Sequence, residues 1–212
     1  MAKQTRLDDF KELFKNNKNI RLATYVGGGV VVLVLGYFLY NQFIFQPKNI
    51  KSNENIYKGL NLADKDSTDA AIAELETFVK KYDGKQGGEI AQFTLARQYM
   101  TKGDFKKALN LLEGVKLKDT YGPAMVLGLQ GDCNSEMKKY KEALDAYKDA
   151  ANADENEFTT PLYLFKAGQV AEELNDFATA KEMYERINKD FYQFGQQKQI
   201  DKYIARAENK IK

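Results

Sequence analysis

The sequence predicts an all-α protein: a single N-terminal transmembrane helix, then an α-solenoid of paired helices with a C-terminal capping helix. Two observations lead there. Leu22 to Gln46 carry no charge in an otherwise hydrophilic chain of 212 residues, and the chain beyond them repeats itself every 35 to 37 residues. A stack of short helix pairs at such a period buries a continuous core only by adding neighbours, which is the logic of a solenoid.

The apolar segment comes first. Leu22 to Tyr40 reads LATYVGGGVVVLVLGYFLY. At about 1.5 Å per residue it spans the ~30 Å hydrocarbon core of a bilayer. It is longer than the core of a signal peptide, and FLYNQFIFQPK after it offers no small-x-small cleavage site. An uncleaved signal anchor is expected. Lys3, Arg6, Lys11, Lys15, Lys18 and Arg21 precede the span, and Lys48, Lys51, Lys58 and Lys65 follow. That bias places the N-terminus in the cytoplasm and the trailing domain across the membrane. Tyr37, Tyr40 and Phe43 to Phe45 suit an aromatic belt, and Pro47 is expected to stop the helix because it has no N–H. The domain plan is a cytoplasmic tail over 1–19, the anchor over 20–46 and a linker over 47–55. A repeat domain of about four helix pairs follows over 56–195, then a capping helix over 196–212.

Composition narrows the function. Beyond the tail stand 26 basic and 27 acidic residues, so the large domain has no electrostatic footprint for nucleic acid. Histidine is absent, which removes His-based triads and His-ligated metals. The motifs GxxxxGK[ST], GxSxG, HExxH and CxxC are missing as well, so neither an enzyme nor a cofactor is expected. Cys133 is alone, falls at a repeat position and is expected in the core.

The repeat has four anchors. An alanine stands four residues before a large apolar residue at Ala71/Leu75, Ala108/Leu112, Ala143/Tyr147 and Ala180/Tyr184. Three residues before the alanine come Thr68, Phe105, Tyr140 and Phe177; twelve before it come Gly59, Ala96, Gly131 and Gly168. The small residue marks where the first helix of a pair approaches the second. The aromatic opens the second helix, and the i, i+4 pair shares one helix face. Turns reading KGDF, MKKY and LNDF are short and polar, and Pro123 and Pro161 fall at helix starts.

This pattern resembles the tetratricopeptide repeat. LARQYMTKGDFKKALNLLEGV, GDCNSEMKKYKEALDAYKDA and KAGQVAEELNDFATAKEMYERI carry the resemblance, and GLNLADKDSTDAAIAELETF is a degenerate first copy. Ile200, Tyr203, Ile204, Ala207 and Ile211 share one face of the expected capping helix. The repeat register aims Ile56, Phe93, Arg97, Met125, Asp132, Leu162, Phe165 and Gln169 at the concave face. Phe93, Met125, Leu162 and Phe165 would form an apolar strip for an unfolded segment or a partner helix. The Lys and Asn of the repeat domains that clamp C-terminal carboxylates are missing from these positions. In the anchor, Ala23, Gly27, Gly28, Gly29 and Gly36 give a small face suited to helix–helix packing. In the tail, Thr5-x-x-Asp8 reads as a weak capping box for a helix with Leu7, Phe10, Leu13 and Phe14 near one face, and Lys11, Lys15 and Lys18 could meet anionic headgroups.

Stub, anchor and exported repeat domain together resemble the YfgM-like ancillary subunits of the bacterial Sec translocon. The resemblance lies in the layout and carries over no residue. It implies a single-pass inner-membrane protein with a periplasmic repeat domain. Its implied partners are a SecYEG-type channel, a membrane-anchored periplasmic peptidyl-prolyl isomerase and emerging secreted chains. The alternatives within the same architecture are a scaffold for envelope assembly or division and a cytoplasm-facing import receptor.

Overall fold

A computed structural model of the chain describes residues 2–65 and 67–211, with the backbone alone for residues 2–7 and Asp9. The side chains of the expected capping box at Thr5 and of Leu7 therefore lie outside the described residues. Every regular element among the described residues is helical. The chain divides into two compact units, Met1–Lys51 and Ser52–Lys212.

In the first unit, α1 (Ala2–Asn16) and α2 (Lys18–Tyr40) are separated by Asn17, whose backbone is extended at φ −118°, ψ 112°. Asn17 Oδ1 accepts from the Asn19 and Ile20 N–H groups at 3.0 and 3.3 Å, satisfying donors that a helix start leaves orphaned. None of the side chains of α2 is buried. This helix is long and apolar enough to cross a membrane. Near its entry, the Thr24 hydroxyl donates to the Ile20 carbonyl at 2.8 Å and so needs no water.

Pro47 does not stop the helix, contrary to expectation. A π-helical turn, Asn41–Phe45, follows α2, and the Gln46 N–H reaches back five residues to the Asn41 carbonyl. The wider turn shifts the hydrogen-bond ladder before the ring arrives, so Pro47 becomes the second residue of α3 (Gln46–Asn55), where no donor is required. The linker expected over 47–55 is thus helical. Its last residues belong to the second unit: Ser52 is fully buried, and its Oγ accepts from the Gly87 N–H at 3.1 Å.

Among the described residues the second unit contains four helix pairs. They are α4 (Tyr57–Asp64) with α5 (Thr68–Lys81), and α6 (Gln86–Thr101) with α7 (Phe105–Leu112). Then come α8 (Gly122–Glu136) with α9 (Tyr140–Asn152), and α10 (Thr159–Glu173) with α11 (Phe177–Asp190). All four repeat alanines are fully buried, as are Leu75, Leu112 and Tyr184, with Tyr147 nearly so. The small positions are small for a steric reason. A Cβ on Gly59 would come within 2.5 Å of Leu75 Cδ2, one on Gly131 within 2.5 Å of Tyr147 Cε1, and one on Gly168 within 2.7 Å of Tyr184 Cζ. Phe105, Tyr140 and Phe177 open α7, α9 and α11 and are half-buried there.

The three turns inside the later pairs share one device. Gly103, Lys138 and Asn175 occupy the left-handed region at φ 77°, 59° and 59°. In each turn the next N–H reaches back five residues: Asp104 to Tyr99, Lys139 to Asn134 and Asp176 to Ala171. That is a Schellman ending, which satisfies the last carbonyls of the first helix. Asp104 and Asp176 then cap the second helix, accepting from the Lys107 and Thr179 N–H groups at 3.1 Å each. Hydrogen bonds from Thr179 hold the Asp176 carboxyl below its ordinary range.

The core forms two clusters that meet at α8. Val126 and Cys133 belong to the cluster of the first two pairs, while Ala124 belongs to that of the last two. The C-terminal cap is two helices rather than one. Tyr192–Lys198 (α12) and Ile200–Ile211 (α13) are separated by Gln199, which is left-handed at φ 53°. Ile200 and Ala207 are buried and Tyr203 and Ile204 pack on the core, but Ile211 is exposed.

Candidate functional site

The expected concave strip divides into a buried part and an open part. Ile56 is 4% exposed just ahead of α4, Phe93 is buried in α6, and Phe165 is buried in α10. These three are core residues, not an open surface. The reason is clearest at Phe165: the rings of Tyr203, Tyr184 and Phe194 lie 5.0, 6.0 and 6.4 Å from it, so α12 and α13 cover it. Arg97 and Gln169 are exposed, Leu162 is half-buried, and Met125 is 39% exposed.

Two exposed aromatics that the sequence reading did not single out extend the open part. Tyr121 stands four residues before Met125 on α8, and Phe158 stands four before Leu162 on α10. The Tyr121 and Phe158 rings meet edge to face at 6.3 Å while remaining 48% and 80% exposed. The result is an apolar ladder of four side chains along the starts of the first helices of neighbouring pairs. Asp119 and Asn156 shape its approaches. Asp119 Oδ1 accepts from the Tyr121 and Gly122 N–H groups at 3.0 and 2.7 Å, and Asn156 Oδ1 accepts from those of Phe158 and Thr159 at 2.8 Å each.

Asp132 is committed within the molecule. Tyr147 Oη and Lys166 Nζ both donate to its Oδ1 at 2.6 Å. Lys166 also lies 5.6 and 5.9 Å from the Tyr147 and Tyr163 ring centres, and those rings stack at 6.4 Å. Tyr163 comes this close because Gly128 has no side chain; a Cβ there would overlap its ring. Burial, then the Asp132 charge, pushes the Tyr163 hydroxyl up to about 12. Burial, then the bond to Asp132, pushes the Tyr147 hydroxyl up as well. This network joins α8, α9 and α10.

The same scheme recurs at the cap. Glu172 accepts from Tyr184 Oη at 3.3 Å and from Arg206 Nε at 2.9 Å, with a second contact to the guanidinium, which also sits 4.8 Å from the Tyr203 ring centre. Arg206 thus does on α13 what Lys166 does on α10, so α13 stands in for the first helix of a next repeat. Elsewhere, a cavity of about 300 Å³ lies between α5 and α7. Val79, Leu95, Leu111 and Tyr99 line it, and Tyr99 Oη donates to Glu76 at 2.5 Å.

On α2, Ala23, Gly27, Gly28, Gly29 and Gly36 are all exposed, and a Cβ added at any of the four glycines would meet no atom within 4 Å.

The model of a tetratricopeptide repeat-like domain matches residues 11–123 and 63–172, and a tetratricopeptide repeat model matches 163–191. The chain belongs to the tetratricopeptide-repeat family. Two crystal structures of MamA share the fold. One has a TM-score of 0.54 at 22% identity, covering 72% of this chain and 93% of that one. The other has a TM-score of 0.50 at 21% identity, covering 74% and 92%. No curated protein matches. The fold is that of a protein-interaction scaffold.

Proposed function

We propose that this protein is a non-enzymatic scaffold tethered to the bacterial inner membrane by α2. On this reading its repeat unit faces the periplasm and serves the Sec machinery, beside a SecYEG-type channel and a membrane-anchored peptidyl-prolyl isomerase. Emerging chains would meet the open ladder of Tyr121, Met125, Phe158 and Leu162.

One observation carries the tether. From Leu22 onward helix α2 exposes an uncharged, apolar surface on all sides: Leu33, Tyr37 and Val32 are 74%, 72% and 68% exposed. A soluble chain would have to hide such a surface against itself, whereas a bilayer solvates it. The ladder supports the interaction role. Its side chains are flexible or aromatic and few polar groups accompany them, which favours weak, sequence-tolerant contact with apolar segments. The Lys/Arg bias across the span supports the orientation.

Photo-crosslinkers placed at Met125 and Leu162 of the full chain in growing cells test the proposal. Capture of nascent secreted chains or channel components there, and not from a crosslinker at the exposed Lys189, is the expected result. Capture of only division or cell-wall proteins would move the scaffold to envelope assembly. Digestion of the repeat unit by a protease confined to the cytoplasmic side would reverse the topology and favour an import receptor.

A further inference from the structure

The tail and the start of α2 form an elbow. Phe14 and Tyr25 are eleven residues apart, which in a straight helix is about 16 Å along the axis. Their rings nevertheless meet edge to face at 5.7 Å. The two axes therefore bend sharply at Asn17, the residue whose extended backbone and side-chain cap end one helix and start the next. The Phe10 ring lies tilted against Phe14 at 6.2 Å, so an aromatic row leads from α1 onto the first turns of α2.

The surface of α1 is divided. Phe10 and Leu13 are 51% and 54% exposed, with half-buried Phe14 on the same face. Lys11 and Lys15 border that face, Lys18 and Arg21 follow at the entry of α2, and all four are exposed. Through Arg21 the sequence holds six Lys/Arg against three Asp/Glu. Asp8 pairs with Lys11 at 3.5 Å, but both side chains are about 70% exposed, so water screens that pair and a phosphate could displace it.

We propose that α1 is an interfacial helix that senses bilayer charge. Its Phe10–Leu13–Phe14 face enters the headgroup boundary, and Lys11, Lys15 and Lys18 bind anionic phospholipid headgroups. The inference rests on α2 being the membrane anchor. Arg21 is the last charge before the apolar stretch, which places Tyr25 one turn inside the lipid. Phe14 is held against Tyr25 and so lies at the interface, with the rest of α1 turned along it. Aromatic rings favour that depth, and lysine stems reach from it back to the headgroups.

The chain has no tryptophan, so Phe10→Trp gives a single reporter. The full-length variant is reconstituted in vesicles of phosphatidylcholine, and of phosphatidylcholine mixed with phosphatidylglycerol, each also with bromine-labelled acyl chains. The expected result in the anionic vesicles is a blue-shifted emission quenched by the bromine, with much weaker effects in neutral vesicles. Each lysine near an anionic surface is worth about fivefold in partitioning. Replacing Lys11, Lys15 and Lys18 by Gln should therefore weaken α1 association on the order of a hundredfold at low salt. Equal emission and quenching in the two lipids, or no response to the triple substitution, overturns the proposal while leaving the anchor intact. Flotation of the chain with the vesicles separates the two readings: failure to float in either lipid would remove the anchor and this inference with it.

Discussion

Gly168→Ala probes the close approach on which every repeat depends. The added Cβ would lie 2.7 and 2.9 Å from Cζ and Cδ1 of Tyr184. That ring has nowhere to go: Tyr184 is fully buried, with Tyr203 at 5.3 Å and Phe165 at 6.0 Å, and its hydroxyl is tied to Glu172. Overpacking of this kind costs about 1–3 kcal/mol. Alanine returns up to about 1 kcal/mol through helix propensity. A net loss of about 1–2 kcal/mol follows, which at roughly 2–4 °C per kcal/mol lowers the melting temperature by a few degrees. The assay is urea and thermal unfolding of the detergent-solubilised chain, followed by tyrosine near-UV dichroism. The repeat supplies an internal comparison. At the second pair the same two positions hold Ala96 and Leu112, both fully buried. Glycine faces tyrosine at Gly131 and Gly168, whereas alanine is tolerated opposite leucine. Gly168→Ala combined with Tyr184→Leu should therefore lose less stability than the two changes summed. Gly59→Ala, whose neighbour is the movable end of Leu75, should cost less than Gly168→Ala. A neutral or stabilising Gly168→Ala, or strict additivity in the double variant, would refute the idea that steric approach sets this position.

Other outcomes follow from the turns, the buried hydroxyls and the thiol. Lys138→Gly should stabilise the chain by about 0.5–1 kcal/mol in urea unfolding, because lysine is strained in the left-handed region and glycine is not. Gly103→Ala, in the matching turn with open space around it, should destabilise by a similar amount. Tyr163 has a folded-state pKa raised from 10.0 to about 12, so its contribution is complete below the unfolded value and disappears as pH rises through the folded one. Two units correspond to about 3 kcal/mol, so unfolding midpoints should fall between pH ~10 and ~12, and the fall should be smaller in Tyr163→Phe. Cys133 is fully buried, and burial, then the neighbouring Asp132 charge, pushes its thiol up to about 11. It should react with a thiol reagent only in urea; labelling of the native chain at the rate of a free thiol would contradict this packing.

Much of the architecture was readable before any coordinates. The spacing of Ala71, Ala108, Ala143 and Ala180 marks the repeat, because close helix packing requires a small residue once per repeat. Absence of charge from Leu22 to Gln46 singled out a helix able to cross a membrane. The open surface was less readable. Phe93 and Phe165 hold the same register position and both are buried, Phe165 by rings more than twenty-five residues later in the chain. Tyr121 and Phe158 share a register 22 residues before Ala143 and Ala180, but they precede their helices, outside the helical positions that define the repeat. Their only signal was a 37-residue separation and an i, i+4 relation to Met125 and Leu162. Pro47 does not end the helix, because the local rule counts only its missing N–H, whereas a π turn just before it absorbs that loss.

The sequence by itself therefore determined the class, the repeat period, the uncharged helix and the absence of a known catalytic motif. These depend on periodicity, charge and residue size along the chain, which local geometry alone turns into helices. Tertiary structure decided which first-helix side chains stay open, that Asp132 is held by Tyr147 and Lys166, and that α13 closes the stack through Arg206. Such outcomes depend on which distant surfaces meet, and a linear pattern carries no measure of the angle at which successive pairs stack.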